Sequence, residues 1–310
     1  NGCNLDVLIF DEAHYLKSPK SKRTKACHKI AAKRSFLLSG SPMLNQPQEL
    51  WGLLHRINPE EFPSFWKFSQ RYCVFGGYQA KQVTGVKNRI ELLEILDRYM
   101  LRRLKKDMVK LPDKNFIPVH VPLSPLQARL YKEAETELRL YLPDDPEPME
   151  LENALTKILR LKQITGTPAT LGFEDQSYKL DRVVEIIHEL IESGEKVVVF
   201  TQFRGVLAAL HQRLTAPTVM GHPVIDTSVL SGEVPGDKRV PIVHEWRDAA
   251  RPGVLLSMLQ VGGVGLDFTA ASNVIFVDKL YVPAMNDQAV DRLHRLSMDK
   301  TKQVNIYEML

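Results

Sequence analysis

Cysteine is scarce in this chain of 310 residues: Cys3, Cys27 and Cys73 stand far apart, with no CxxC pair. That spacing excludes a disulfide framework and a cysteine-based zinc site, and it points to a reducing compartment. Long apolar runs are also missing, since none approaches the ~18 residues that span a bilayer. No signal peptide, internal repeat or low-complexity tract is present. Neither sign of charge dominates: 41 Lys and Arg face 37 Asp and Glu, for a net charge of +4. Such a balance permits a polyanionic partner without demanding one. The densest basic cluster is Arg102, Arg103, Lys105 and Lys106, with Lys110 close behind.

What is present is an ordinary globular composition, 44% hydrophobic and 25% charged, long enough for two cores. Val7–Phe10 is a short apolar run that predicts a buried parallel strand ending in Asp11-Glu12. Open α/β sheets place their ligands at that end of a strand. Polar, lysine-rich sequence follows, and then Phe36-Leu37-Leu38 predicts a second strand running into Ser39-Gly40-Ser41-Pro42. From Glu49 to Arg103 the pattern turns helical and aromatic, interrupted at Gly76-Gly77. Leu111-Pro112-Asp113 breaks the pattern and marks a boundary. A short alternating strand follows at Ile117, Val119 and Val121, then helices over 125–141 and 149–164.

The last third is the most regular. Leu180, Val183, Val184, Ile187, Leu190 and Ile191 share one helical face, and Gly194 stops that helix. Val197–Phe200, Val254–Leu256 and Val274–Val277 predict buried strands, and 304–310 predicts another. The pattern divides the chain into 1–112, an incomplete α/β lobe with a helical insertion; 113–178, a linker and helical protrusion; and 179–310, a second α/β lobe.

Several residues carry chemistry suited to phosphoryl transfer. An Asp at the Asp11 position holds Mg²⁺, and a neighbouring Glu12 polarises water. Gly262-Gly263-Val264-Gly265 lets backbone approach phosphate or a neighbouring lobe. Arg292 and Arg295, three apart on a helix expected to start near Met285, share a face and suit arginine fingers. Taken singly, the hydroxyl turn, the glycine turn and the arginine pair are each more often plain structure or solvated surface.

Their order is specific. Asp11-Glu12-Ala13-His14 followed by Leu38-Ser39-Gly40-Ser41-Pro42-Met43-Leu44-Asn45 resembles motifs II and III of superfamily 2 helicase-like proteins, specifically the SNF2 family. Glu49–Leu54, Ile57-Asn58-Pro59, Met100–Asp107 and Leu123–Gln127 continue the similarity. Lys196–Phe203 resembles motif IV, Gly262–Asn273 motif V, and Gln288–Arg295 (QAVDRLHR) motif VI.

The resemblance implies two RecA-like parallel-sheet lobes, the first incomplete, with helical insertions and with ATP and Mg²⁺ bound between them. Asp11 would carry the metal through its water shell and Glu12 would activate water. His14, Ser39 and Ser41 would couple nucleotide state to lobe movement. Gly263, Gly265, Gln288, Arg292 and Arg295 would close the second wall. Double-stranded DNA would be gripped through its phosphates by Arg102, Arg103, Gln202 and Gln260, with little sequence preference. The implied activity is a DNA-dependent ATPase that steps along the duplex, with a protein partner as a remodelling target. Its setting would be intracellular: the nucleus of a eukaryote, or the cytoplasm of a bacterium or viral host.

Some features depart from the family. The glycine-rich motif I is absent from these residues, which predicts poor ATP binding by this stretch alone. Ser-Gly-Ser-Pro replaces Thr-Gly-Thr-Pro, Gln260 replaces a basic residue, and Leu296-Ser297-Met298 replaces Ile-Gly-Gln. With short insertions, these point to a divergent, compact member, viral or bacterial. A strand-separating helicase shares the acids and arginines, but Leu101–Asp107 and the insertion after motif III argue against it. A catalytically inactive scaffold has no need of Asp11, Glu12, Arg292 and Arg295 together.

Overall fold

The computed structural model describes residues 5–77, 82–136, 139–140, 149–150, 154–216, 224–261 and 265–310. The chain divides between Met108 and Val109 into two units, each with its own core.

In the first unit, β1 (Leu5–Phe10) leads through a short 3-10 turn (Ala13–Leu16) to α1 (Lys22–His28) and β2 (Ala32–Leu37). The two strands pair in parallel, with Phe10 opposite Leu37. Ser21 caps α1, its hydroxyl accepting from the Thr24 N–H at 3.1 Å. Burial in β1 and β2 follows their two faces. Phe10 and Leu37 pack onto Ala13, Leu16, Cys27 and Leu53, whereas Ile9 and Phe36 are 60% and 53% exposed. The strand expected over Val7–Phe10 forms and pairs in parallel, with Phe10 on the face packed by residues of α1 and α2. Among the described residues only one face of this sheet is covered, and alternate residues lie on the other.

The insertion follows as α2 (Trp51–Ile57), α3 (Phe65–Tyr72), β3 (Cys73–Gly76), β4 (Gln82–Val86), α4 (Arg89–Tyr99) and α5 (Lys105–Met108). Its aromatic content builds a small core of Leu50, Trp51, Leu54, Phe62, Phe68, Tyr72, Leu92 and Ile95. The Trp51 indole donates to the Phe62 carbonyl at 3.1 Å, which satisfies the one polar atom that ring buries. Around Gly76 the chain does not simply interrupt a helix. It forms an antiparallel hairpin of β3 and β4, with a register shift between Val74 and Phe75.

The second unit begins with β5 (Lys114–Val119), α6 (Pro125–Thr136), the short antiparallel pair β6 (Arg139–Leu140) and β7 (Met149–Glu150), and α7 (Ala154–Gly166). Helices α6 and α7 bury Leu130, Ala134 and Ile164 against each other and Leu171. Next come α8 (Tyr178–Glu192), β8 (Val197–Thr201), α9 (Arg204–Thr215), β9 (Thr227–Leu230), α10 (Gly236–Asp248), β10 (Val254–Met258), β11 (Asn273–Phe276), α11 (Pro283–Val290) and β12 (Val304–Met309). Among the described residues the sheet has the order β5-β12-β11-β8-β10-β9. Every pairing in it is parallel. Strands β8, β10 and β11 are buried at every residue, as continuous Val, Ile, Leu and Phe runs require when helices cover both faces. Strand β5 belongs to this sheet, paired along its length with β12 from Lys114–Val304 to Val119–Met309.

One glycine fixes how α2 lies on the first unit. A Cβ on Gly52 would sit 2.1 Å from the Leu16 carbonyl oxygen, on backbone that cannot swing aside. Alanine would gain ~1 kcal/mol in helix propensity. Forcing the helix off the 3-10 turn costs ~1–3 kcal/mol, as overpacking does, with a backbone clash at the upper end. Gly52→Ala should therefore be a net loss, read as a lower urea midpoint for the first unit; an unchanged or raised midpoint would contradict this packing.

Candidate active-site residues and nucleic-acid contacts

The first group is assembled by backbone pairing. Beyond the ends of β1 and β2, the Leu38 N–H donates to the Phe10 carbonyl at 2.8 Å, and the Ala13 N–H to the Leu38 carbonyl at 2.9 Å. These bonds bring the Asp11–His14 turn beside Ser39–Pro42. The His14 Nδ1 then lies 3.1 Å from the Ser39 hydroxyl and 3.2 Å from Glu12 Oε2. The Ser39 hydroxyl also accepts from the Ser41 N–H at 3.2 Å. Asp11, Glu12, His14, Ser39 and Ser41 thus form one connected cluster. Asp11 is exposed at the strand end and accepts from the Glu12 N–H at 2.8 Å.

Glu12 occupies the left-handed region, at φ 49° and ψ 44°. A non-glycine residue there costs on the order of 1–3 kcal/mol, and such strain concentrates at functional sites. The strain turns Glu12 back toward His14. His14 is 3% exposed, and burial holds its pKa below 6.5; Glu12 and Glu49 oppose that shift and Lys17 adds to it.

Sequence reasoning left Glu49 out of the site. Its Oε2 accepts from the backbone N–H groups of Leu44 and Asn45 at 2.8 and 3.0 Å, and Oε1 lies 3.8 Å from the Lys17 ammonium. Glu49 thereby ties the end of the hydroxyl loop to the turn that follows His14. The available signal was an acid a few residues past a loop and just ahead of a helix. Arg102 and Arg103 lie exposed in a stretch without regular secondary structure ahead of α5.

In the second unit, Gln202 follows β8, Gln260 follows β10 and Asp278 follows β11. The ladder again runs past the strands, with Leu259 N–H donating to Thr201 O at 2.9 Å and Val277 N–H to Phe200 O at 3.0 Å. Gln202 is half-buried and Gln260 exposed. The Gln202 side-chain amide donates to the Lys279 carbonyl at 3.3 Å. Gly265 has φ +67°, with open space where a Cβ would be, so its backbone conformation is what calls for glycine. Gly263 lies outside the described residues. Gln288 is half-buried on α11.

The arginine pair requires a correction. Helix α11 ends at Val290, so Arg292 and Arg295 do not share a helical face. The Arg292 carbonyl, which a continuing helix would offer to residue 296, instead accepts from the Phe268 N–H at 3.0 Å. Leu293 turns fully into the core, and His294 Nε2 donates to the Pro112 carbonyl at 2.7 Å. The chain proceeds in tight turns, with the Arg295 Nε donating to the Asp291 carbonyl at 3.1 Å. Arg292 is thereby fixed to the loop containing Gly265 through its backbone.

Known proteins agree with the order of these elements. The SNF2-related domain family matches residues 1–170, and the helicase conserved C-terminal domain matches 178–297. The chain is a member of the SNF2 family. An ATP-dependent helicase of Mycoplasma pneumoniae is 30% identical over 96% of this chain and 28% of its own length. The human DNA annealing helicase and endonuclease ZRANB3 is 28% identical over the whole chain and 28% of its own length. The chain thus spans under a third of these relatives. Among solved structures, the Sulfolobus solfataricus SWI2/SNF2 ATPase core in complex with dsDNA matches with a TM-score of 0.51 and 26% identity. That match covers 99% of this chain and 64% of that one. The SNF2 chain thus has the α/β sheet architecture of an ATP-dependent helicase and translocase family.

The buried histidine gives a pH signature. His14 and His28 both titrate below 6.5 when folded, each mainly through burial. The unfolded chain therefore takes up protons first as pH falls, and stability drops from pH 6.5 down through the folded pKa values. Urea midpoints should fall between pH 7.5 and pH 5.5, by less in His14→Gln. An equal fall in that variant would remove His14 from the account.

Proposed function

We propose that this SNF2 chain supplies catalytic and DNA-gripping parts of an ATP-dependent double-stranded DNA translocase, and that the whole protein hydrolyses ATP. The arrangement of Asp11, Glu12, His14 and Ser39 on one extended parallel ladder carries this reading. Glu12, bent toward His14, would take the proton of the attacking water. His14 would report the state of that acid to Ser39 and Ser41, through hydrogen bonds already in place.

Among the described residues no group of three or more metal-ligating side chains exists. Mg²⁺ is typically held by one or two carboxylates together with waters and phosphates. Asp11, exposed at the strand end, would hold it. When bound, the ion neutralises charge on the phosphates. Arg292 and Arg295 would lend positive charge to the transition state, and the backbone bond from Phe268 to Arg292 would set the first of them against the glycine turn. Gln288, Gly263 and Gly265 would complete that wall.

Arg102 and Arg103 in the first unit, and Gln202 and Gln260 in the second, would meet duplex phosphates. The similarity to an ATPase core seen with dsDNA supports that role. Free thiols at Cys27 and Cys73 support an intracellular, reducing setting.

The deciding experiment measures ATP hydrolysis by the full-length protein with and without double-stranded DNA, beside Glu12→Gln. Duplex DNA should stimulate hydrolysis strongly, and the substitution should lower kcat by about 10²–10⁴-fold, the usual weight of a general base. Absence of hydrolysis by the wild type under both conditions would overturn the enzyme reading.

A further inference from the structure

A charged cluster beside the strand ends of the second unit belongs to none of the motif roles above. Asp278 leaves β11 and reaches across the end of β8. Its Oδ2 accepts from the Thr201 hydroxyl at 2.5 Å, and its Oδ1 from the Gln202 N–H at 2.9 Å. The Thr201 hydroxyl in turn accepts from the Phe203 N–H at 3.1 Å. One carboxylate therefore commands the whole turn from β8 into α9.

Two ammonium groups arrive on separate helices. Lys162 of α7 donates to the Lys279 carbonyl at 2.6 Å and lies 3.8 Å from the centre of the Tyr281 ring. Lys179 of α8 donates to the Met309 carbonyl at 3.4 Å. Burial pushes the Asp278 carboxyl up, and hydrogen bonds from Thr201 and Gln202 and the charge of Lys162 oppose it. Burial pushes both lysines down, and the attraction of Asp278 opposes that in each. Lys162 and Lys179 thus tie α7 and α8 to the Lys279 and Met309 carbonyls past the strand ends, and the Asp278 charge attracts both.

The geometry points to Asp278 as a positioning residue that sets the Gln202 turn for contact with duplex phosphates; this rests on the proposed DNA-translocase function. Gln202 is uncharged, so its value to a phosphate depends on how its side-chain amide is placed. Its backbone N–H is consumed by Asp278, and one side-chain hydrogen by the Lys279 carbonyl. The Asp278 carboxylate acts on the side-chain amide as well, so backbone and side chain of Gln202 are both held before DNA arrives. Pre-organisation of this kind removes an ordering cost from binding.

Charge and positioning predict opposite signs. Asp278→Asn removes a negative charge beside two lysines. If the cluster acted only through its charge, duplex binding would tighten and its salt dependence steepen. If Asp278 acts by position, binding weakens. Thr201→Val keeps shape and charge but cuts the link from Asp278 to Phe203, so positioning predicts weakening there too.

The test is fluorescence anisotropy of the full-length protein on a random-sequence duplex, with amide hydrogen exchange on the same variants without DNA. Both variants should lose affinity about five- to tenfold, the weight of one well-made hydrogen bond. Exchange should accelerate at Gln202 and Phe203 while Val198 and Leu255 keep their protection. Tighter or unchanged binding in Asp278→Asn, no effect of Thr201→Val, or acceleration throughout the sheet would each overturn the proposal. If the wild type does not bind duplex DNA, the translocase reading fails by itself. Exchange at Gln202 then separates the two: local acceleration keeps Asp278 as the group that holds the turn while its role toward phosphates falls with that reading, and unchanged exchange overturns both.

Discussion

Parallel pairing that runs one hydrogen bond past the strands places the chemistry in both units. In the first, the bonds from Leu38 to Phe10 and from Ala13 to Leu38 set the acidic turn beside the hydroxyl turn. In the second, the bonds from Leu259 to Thr201 and from Val277 to Phe200 line up the turns carrying Gln260, Gln202 and Asp278. Parallel strands deliver all their C-terminal ends to one edge, so any residue just past a strand joins the same row. The side chains then need only short reaches, such as His14 to Ser39 or Asp278 to Thr201.

The two units support that edge differently. The second has a thick scaffold, in which β8, β10 and β11 are buried throughout and Phe200, Phe268 and Phe276 pack together at their centre. The first has α2 pressed against the 3-10 turn at Gly52. Its site is fastened by polar contacts of loops, above all Glu49 to the Leu44 and Asn45 amides. The strain at Glu12 lies in this unit, where loop hydrogen bonds and one close helix contact hold it.

The continuous apolar strands of the second unit were legible because period and burial agree there, and the helix at 180–191 followed from its face. Strand β9 and helix α10 were not legible. Residues Thr227–Val229 are only partly buried, and Pro241 sits inside α10 and erases its helical signature. The hairpin of β3 and β4 escaped because its pairing depends on a register shift that alternation does not show. Arg292 and Arg295 were found by motif but misplaced in shape. Spacing alone predicts a helix, whereas the competing partner for the Arg292 carbonyl, Phe268, comes from a distant loop. Asp278, Lys162 and Lys179 gave no local signal, since they meet only after three elements fold together.

Hydrogen exchange at the four ladder-extending amides of Leu38, Ala13, Leu259 and Val277 tests the central claim directly. If these bonds fix the edge, each amide is protected to the same degree as neighbouring strand amides of its own unit, Phe10 in the first and Val199 in the second. Exchange at loop rates from these four, with the strands still protected, would contradict it and leave the site residues to be placed by side-chain contacts alone.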